Sequence, residues 1–309
     1  MNLTDEYIES LIAVLSPNHK SISIKSLNCE CSNNLIVDIN QGERSIFIKC
    51  QKGNDDTRFI HEINSIFMRE KKAENISAPL IYLVDHEKKV VVMDYIKGPN
   101  LKQLFISIKQ RDQYKLKRMV DLSAIALAEF HKIFMKVEYA KGEDDLKKLV
   151  KKKDMNFINE CIKRCNLNFK TQLFFDFKFE NILFDDDTSE LYLIDFPNKK
   201  LIYTPHYDIA EFRRDIFIFS QHPQFILFSK WKNPSDIYNQ FLSTYCRNLG
   251  IMPNESDELI INYFSNTMIN YMLKLCMKHK FENLNIIKYP LMKRAQKMNN
   301  SFKLNDINF

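Results

Sequence analysis

The feature that most constrains the fold of this chain is a change of hydrophobic periodicity near residue 95. Before that point, apolar and polar residues alternate in short runs such as SISIKSL, LIVDI and SIFIKC, which is typical of half-buried strands. After Gly98-Pro99 the spacing becomes helical, as in DLSAIALAEFHKIF. We therefore expect an α+β fold with two lobes, an antiparallel sheet plus helix over residues 1–94 and a mostly helical lobe over residues 95–309.

The patterns also predict the order of elements. A short amphipathic helix precedes a three-strand meander over residues 21–50, a helix follows over about 56–72, and two further strands end the first lobe. In the helical lobe, two strands stand alone at 182–184 and 191–194, joined by a polar turn. The second lobe is therefore expected to carry one hairpin among helices.

Composition limits the classes of function. The chain has 309 residues, is 45% hydrophobic and 27% charged, and carries a net charge of +6, a globular balance that favours anionic partners such as nucleotides but is too weak to indicate nucleic-acid binding. The N-terminus does not resemble a secretory signal, and no apolar run has the roughly 18 residues of a membrane span. We expect a cytoplasmic protein whose seven cysteines are free thiols, because neither Cys29 with Cys31 nor Cys161 with Cys165 completes a zinc pattern.

The segment FFDFKFENILFDDDTSELYLIDF, residues 174–196, carries the strongest chemical signal. Phosphoryl transfer needs a group beside the acceptor hydroxyl and oxygen ligands for the metal on the phosphates. The five-residue spacing of Asp176 and Asn181 lets the first face an acceptor while the second turns back toward a metal. Asn181 opens one strand of the hairpin, and the other strand delivers Asp195 at its end, as a hard oxygen ligand that suits Mg²⁺.

This segment resembles the catalytic and metal-binding loops of the aminoglycoside phosphotransferase and choline kinase-like small-molecule kinases, which have a protein-kinase-like fold. The resemblance implies that the chain moves the γ-phosphate of ATP to a hydroxyl group. It implies that Asp176 is the catalytic base, that Asn181 and Asp195 hold Mg²⁺, and that Lys178 neutralises the moving phosphoryl group.

The first lobe contains the partners that this resemblance requires. Lys49 ends the strand SIFIKC, where a lysine can reach the α- and β-phosphates of a nucleotide as a point charge. Glu62, on the following helix, is expected to pair with Lys49, and Glu70 is the rival for that role. By position in the family, Met93 is the gatekeeper residue at the start of the hinge Met93–Gly98, and the Asp94 carbonyl and the Ile96 N–H contact adenine.

Three departures from the family pattern stand beside these matches. Phe174-Phe175 replaces the usual His-Gly or His-Asn before the base, and Pro197 stands where glycine is usual. The glycine-rich phosphate loop is missing, so that Ser32 and backbone amides of the turn CECSNN would have to serve. These departures leave a catalytically silent binding module as one alternative, and Lys178 leaves a protein kinase as another.

The acceptor is inferred from charge. From residue 196 onward, lysines and arginines number 15 and aspartates and glutamates number 9, which disfavours a polycationic antibiotic and favours a small anionic alcohol, such as a lipopolysaccharide core sugar. His206 and Arg213-Arg214 either meet such an acceptor or are surface charge. Asp208 resembles a family residue that supports the catalytic loop, and His131 is expected to be structural.

Overall fold

The computed structural model describes ten segments of the chain. They comprise residues 5–28, 32–42, 44–52, 57–106, 113–135, 149–185, 187–197, 200–228, 233–278 and 283–301. The turn with Cys29 and Cys31, the middle aspartate of the hairpin turn, Asp186, and the start of the basic stretch KKLVKKK lie outside the described residues.

Strands outnumber helices in the first third of the chain, and helices dominate the rest. The strands are β1 (Ile22–Asn28), β2 (Ser32–Ile39), β3 (Arg44–Gln51), β4 (Ile76–Ser77), β5 (Ile81–Asp85), β6 (Val90–Asp94), β7 (Thr171–Gln172), β8 (Ile182–Phe184), β9 (Leu191–Leu193) and β10 (Ile202–Tyr203). The α-helices are α1 (Asp5–Leu15), α2 (Thr57–Glu70), α3 (Leu101–Ile106), α4 (Gln113–Met135), α5 (Met155–Ile162), α6 (His206–Phe219), α7 (Pro223–Phe228), α8 (Pro234–Leu249), α9 (Glu255–Lys278) and α10 (Asn283–Ser301).

The chain divides into two compact units. The first comprises Met1–Arg69, Ser77–Lys97 and Phe196–Lys200, and the second comprises Glu70–Ile76, Gly98–Asp195 and Leu201–Phe309. Among the described helices, none is both long and apolar enough to cross a lipid bilayer.

The first unit is built on a five-stranded antiparallel sheet in the order β1-β2-β3-β6-β5. One face of the sheet is covered by α1, whose Ile8 and Ile12 pack with Val37, Ile46 and Ile48 in a buried apolar cluster. Side chains of a strand alternate between faces, so Phe47 and Lys49 of β3 lie on the other face. The alternation of residues along the strands therefore gives the sheet one apolar face, which α1 covers, and a second face that carries Phe47 and Lys49.

Helix α2 contacts the segment that leads into β5. The Asn64 side chain donates to the Pro79 carbonyl at 3.3 Å, and the Phe67 ring lies 5.6 Å from that of Phe196. The buried residues of α2 form one stripe with helical spacing: Thr57, Ile60, Ile63, Asn64 and Phe67. This stripe fixes which side chains of α2 face outward.

The second unit is helical around a small hairpin. Helix α4 packs along α8, and α9 packs against both α6 and α10. Local signals explain where α8 begins and ends: the Asn233 side chain accepts the Ser235 N–H, Pro234 occupies the first turn, and Gly250 follows the helix with a φ of 71°. The predicted hairpin is present, with Ile182 opposite Leu193 and Phe184 opposite Leu191.

A two-stranded ribbon positions the segment that precedes this hairpin. Strands β7 and β10 pair antiparallel through only two residues each, and the Leu173 N–H extends the ribbon by donating to the Leu201 carbonyl at 2.8 Å. This pairing fixes the position of Leu173, from which the chain continues toward β8.

Candidate active site

Residues 173–181, which we call the Asp176 loop, connect β7 to β8 and turn sharply at Phe175. Phe175 has a φ of 59°, in the left-handed region that costs a non-glycine residue roughly 1–2 kcal/mol. Its ring stacks on Tyr207 with centroids 5.3 Å apart. Phe174 is fully buried, and its ring centroid lies 5.3 Å from that of Phe130. The two adjacent aromatic residues therefore anchor both sides of the turn.

After this turn, the side chains of the loop alternate between the interior and the surface. Phe177 and Phe179 are fully buried, and both rings pack against Phe212 of α6. Asp176 and Lys178 remain partly exposed. The apolar side chains thus fix the loop from below, and the charged side chains emerge on the opposite side.

Three of the predicted site residues meet within the loop. Lys178 Nζ donates to Asp176 Oδ2 at 2.7 Å, and Asn181 Nδ2 donates to the same oxygen at 3.0 Å and to the Asp176 carbonyl at 3.0 Å. The side chains of Asp176 and Lys178 are 42% and 31% exposed, so the carboxylate remains accessible to a ligand. Asp176 and Asn181, five positions apart in the sequence, are therefore in direct contact.

The charge of Lys178 is maintained by its neighbours. Burial alone would lower the pKa of Lys178, but the hydrogen bond from Lys178 to Asp176 and the negative charges of Asp176, Asp195 and Glu180 outweigh it and raise the pKa. Lys178 is therefore a fixed cation beside Asp176 at neutral pH.

Asn181 and Asp195 stand at the same end of the hairpin. The Ile194 N–H donates to the Asn181 carbonyl at 3.0 Å, and the next residue, Asp195, has a φ of 59° and an exposed side chain. The amide nitrogen of Asn181 faces Asp176, which leaves its side-chain oxygen directed elsewhere. These two hard oxygen donors fit the ligand preference of Mg²⁺, which is commonly held by one or two protein groups together with phosphates.

Asp208, at the start of α6, supports the turn of the Asp176 loop. Its carboxylate accepts the Phe174 N–H at 2.7 Å and the Phe175 N–H at 2.9 Å. His131 Nε2 lies 3.0 Å from the same carboxylate, and His131 Nδ1 lies 2.7 Å from the Tyr245 hydroxyl. Asp208 and His131 are buried, so both contribute to the framework of the loop.

Two further carboxylates of α6 contact the loop and were not identified from the sequence. Glu211 Oε2 accepts the Phe177 N–H at 2.8 Å, and Asp215 Oδ2 accepts the Phe179 N–H at 2.9 Å. Their signal in the sequence is the spacing of Asp208, Glu211 and Asp215, which places three acids on one face of a helix. That spacing alone does not reveal which segment the acids contact.

In the first unit, the pairing of the strands groups two of the predicted nucleotide ligands. Lys49 lies opposite Val91, and Phe47 lies opposite Met93, so Lys49 and Met93 share the sheet face that α1 does not cover. A cavity of about 510 Å³ opens beside this row and is lined by Ser23, Lys25, Ile36, Asp38, Gln41, Tyr95 and Lys97. Because Lys25 pairs with Ile36 and Ile36 with Phe47, the cavity lies on the same face as Lys49.

The other three residues predicted on this side have separate settings. Asp94 ends β6, where its N–H donates to the Leu80 carbonyl and its carboxylate accepts the Leu80 N–H, both at 3.0 Å. Ile96 follows in the irregular segment after β6 and is half-buried. Glu62 is exposed, on the face of α2 opposite the buried stripe.

The cationic residues considered for an anionic acceptor are engaged within the protein. His206 is buried, with Nε2 2.8 Å from Asp257 Oδ1. Arg213 is fully buried and pairs with Glu258, and Arg214 Nε donates to Asp215 Oδ1 at 2.8 Å. These contacts stabilise the second unit and remove the three residues from the set of exposed cations.

Comparison with known proteins finds relatives in structure and none in sequence. No protein-family model and no curated protein sequence matches the chain. An ethanolamine kinase of Plasmodium vivax superposes with a TM-score of 0.57 at 14% identity, over 96% of this chain and 87% of that chain. A putative aminoglycoside phosphotransferase of Ralstonia eutropha gives a TM-score of 0.56 at 9% identity, over 96% and 99% of the two chains.

A third solved structure, a microcompartment-associated aminopropanol kinase, gives a TM-score of 0.54 at 11% identity and covers 94% of this chain and 95% of that chain. At such low identities the likeness identifies the fold. The predicted α+β, protein-kinase-like architecture is confirmed, and so is the structural resemblance that the 174–196 segment indicated. The chain has the fold of the aminoglycoside phosphotransferase and choline kinase-like proteins.

Proposed function

We propose that this chain is an ATP- and Mg²⁺-dependent phosphotransferase that moves the γ-phosphate to a hydroxyl group of a small molecule. The contact of Asp176, Lys178 and Asn181, beside a hairpin that brings Asp195 to Asn181, carries the proposal. These are the groups that phosphoryl transfer requires, because its catalysis depends on positioning and charge stabilisation.

Asp176 is the proposed base. Within the described part of the chain, the side-chain hydrogen bonds to Asp176 reach Oδ2, and we assign Oδ1 to the acceptor hydroxyl. The hydroxyl proton passes to Oδ1 as the acceptor oxygen bonds to the γ-phosphorus and the bond to the β,γ-bridging oxygen breaks, which releases ADP. Lys178 provides a positive charge beside this transfer.

The remaining assignments complete the nucleotide side of the proposal. Asn181 and Asp195 would hold Mg²⁺, which offsets the charge of the phosphate oxygens when it is bound. In the first unit, Lys49 binds the α- and β-phosphates with Glu62 as its partner. The adenine contacts are the Asp94 carbonyl and the Ile96 N–H, next to Met93. The functional boundary between the lobes is proposed at residues 94 and 95.

For the acceptor we propose a small alcohol that bears a carboxylate or phosphate, such as a lipopolysaccharide core sugar. The support is the excess of lysine and arginine from residue 196 onward. Since His206, Arg213 and Arg214 are committed to buried carboxylates, the recognition has to come from other basic residues. The ethanolamine and aminopropanol kinases among the structural relatives make amino alcohols the class to compare.

The test measures phosphate transfer from ATP to a panel of anionic sugars, amino alcohols, aminoglycosides and a generic protein. Wild type should phosphorylate an anionic sugar, and Asp176→Asn should reduce turnover at least about 10²-fold, because a positioned base contributes that much or more, with ATP affinity nearly unchanged. The matched control is Asp185→Asn, which alters a carboxylate of the hairpin turn whose Oδ1 accepts the Asp187 N–H.

The class of acceptor that receives the phosphate decides between the candidate functions. Transfer to amino alcohols or aminoglycosides would make the anionic acceptor wrong and keep the phosphotransferase, and transfer to the generic protein would favour a protein kinase. A wild-type protein that transfers phosphate to no member and does not hydrolyse ATP contradicts the proposed function. Unchanged turnover of Asp176→Asn would place the base elsewhere.

A further inference from the structure

The backbone of the Asp176 loop is fastened to one face of helix α6. Asp208, Glu211 and Asp215 are three and four positions apart, so their carboxylates lie in one row along the helix. Each accepts backbone N–H groups of the loop at 2.7–2.9 Å, from Phe174 and Phe175 at one end to Phe179 at the other. The row follows the loop from Phe174 to Phe179.

Glu211 and Asp215 fix the two residues that flank Lys178. Their acceptor oxygens hold the N–H groups of Phe177 and Phe179, and both phenylalanine rings are buried. Lys178 lies between two anchored neighbours, and its side chain extends to Asp176 on the opposite side of the backbone. A shift of either anchor would move the Lys178 ammonium relative to the Asp176 carboxylate.

The arrangement buries charge, which is costly unless the charge is paired. Glu211 and Asp215 are both almost fully buried. Arg214 lies between them, with Nε 2.8 Å from Asp215 Oδ1 and Nη1 3.8 Å from Glu211 Oε1. Burial raises the pKa of Glu211 to about 8, although the charge of Arg214 opposes that effect, so a large part of Glu211 is neutral at pH 7. Apolar packing alone would leave the buried N–H groups of Phe177 and Phe179 without acceptors, so the carboxylates both satisfy the loop backbone and fix its geometry.

We propose that Glu211 and Asp215, bridged by Arg214, are positioning residues for phosphoryl transfer: they hold the N–H groups of Phe177 and Phe179 and thereby fix Lys178 against Asp176. This inference rests on the proposed function for its catalytic part. The fastening of the loop does not depend on that function and is measurable without any ligand.

The experiment uses the full chain with Glu211→Leu, which removes the acceptor, and Glu211→Gln, which keeps an amide oxygen at the same distance. Amide hydrogen exchange is followed at Phe177 and Phe179 without nucleotide, and kcat and KM are measured with the acceptor that the panel identifies. In Glu211→Leu, exchange at Phe177 should rise about tenfold, as expected for one lost hydrogen bond. kcat should fall about 10²-fold, with KM for ATP unchanged.

Glu211→Gln should recover most of the loss, with kcat within about tenfold of wild type, because the amide oxygen replaces the carboxyl oxygen as acceptor of the Phe177 N–H. Glu258→Gln is the matched control: Glu258 is also buried and also pairs with an arginine of α6, Arg213, but its described contacts lie outside the Asp176 loop. It should leave the exchange of Phe177 and the kcat as they are in wild type.

Unchanged exchange and unchanged kcat in Glu211→Leu overturn the proposal, and so does a loss of kcat that Glu211→Gln does not recover. If Glu211→Leu does not fold, the smaller changes Glu211→Ala and Asp215→Ala, which also remove the acceptors, are compared by exchange at Phe177 and Phe179, and wild-type protection in both is then the contradicting result. If wild type transfers no phosphate, the proposed function fails and the catalytic role with it, whereas the exchange data still decide whether the carboxylates hold the loop.

Discussion

Asp257 illustrates how one buried carboxylate connects distant parts of the second unit. It accepts the N–H groups of Asn254 at 2.7 Å, Leu167 at 2.9 Å and Asn166 at 3.1 Å, and it lies 2.8 Å from His206 Nε2. These contacts join the first turn of α9, the start of α6 and the segment that leads into β7. Burial by itself would raise the pKa of Asp257, but the hydrogen bonds from His206, Asn254 and Leu167 outweigh it and hold the pKa below its ordinary value.

The lowered pKa predicts the pH range in which Asp257 stabilises the protein. Since the folded pKa lies below the unfolded value of 3.8, the stabilisation is present above that pH and is lost as the pH falls through the folded pKa. Asp257→Asn should lower the free energy of unfolding by about 1–3 kcal/mol at neutral pH. The difference from wild type should shrink as the pH falls below about 4.

Urea unfolding at several pH values measures this difference, with the exposed Asp187→Asn as a control that should match wild type throughout. Equal unfolding free energies for wild type and Asp257→Asn at neutral pH, or a difference that grows in acid, would contradict the account.

At the scale of elements, the β8–β9 hairpin depends on a close approach of the chain at Gly98. The Phe184 N–H donates to the Pro99 carbonyl at 3.1 Å, and Asn100 bridges to Leu183. A Cβ atom at residue 98 would overlap the Phe184 carbonyl oxygen and lie 2.9 Å from its carbonyl carbon. Glycine is required here because the obstacle is backbone, which cannot rotate away as a side chain can.

Gly98→Ala should therefore displace the hairpin as well as destabilise the protein. We expect a loss of about 1–3 kcal/mol, the usual effect of overpacking, and a fall in phosphate transfer per folded molecule, because Asn181 directly precedes β8 and Asp195 follows β9. Gly250→Ala is the matched control: its site has open space and a φ of +71°, so it should cost roughly 1–2 kcal/mol without changing the activity of the folded fraction.

Thermal unfolding and turnover normalised to folded protein separate the two effects. A Gly98→Ala protein with wild-type activity and stability would mean that the approach to Phe184 is not close in solution.

At the scale of the whole molecule, the parts that the sequence predicts are those with a local signal. The two periodicities predicted the α+β class, and the spacing of Asp176 and Asn181 singled out two residues whose side chains lie 3.0 Å apart. Strands β7 and β10 have two residues each, too few for an alternation to be recognised. The left-handed turn at Phe175 is also hidden, since that conformation is expected of glycine or asparagine.

Contacts between distant segments could not be predicted for a different reason. Glu211 and Asp215 accept N–H groups from residues 34 and 36 positions earlier in the chain, and no local pattern encodes that pairing. The orientation of Glu62, in contrast, follows from helix geometry: it stands two positions after the buried Ile60, about 200° around the helix. The pairing of Glu62 with Lys49 therefore stays a prediction that requires a different setting of α2 from the one described.

The central claim is that the chain binds MgATP and acts on it through Asp176 and Asp195, and isothermal titration calorimetry tests it most directly. Wild type should bind ATP with Mg²⁺, Asp195→Ala should bind it more weakly because a proposed metal ligand is lost, and Asp176→Asn should bind it nearly as wild type does, since Asp176 is proposed to face the acceptor. No binding of ATP or GTP by wild type in the presence of Mg²⁺ would contradict the account, and loss of ATP binding in Asp176→Asn would assign Asp176 to the metal or to the structure instead.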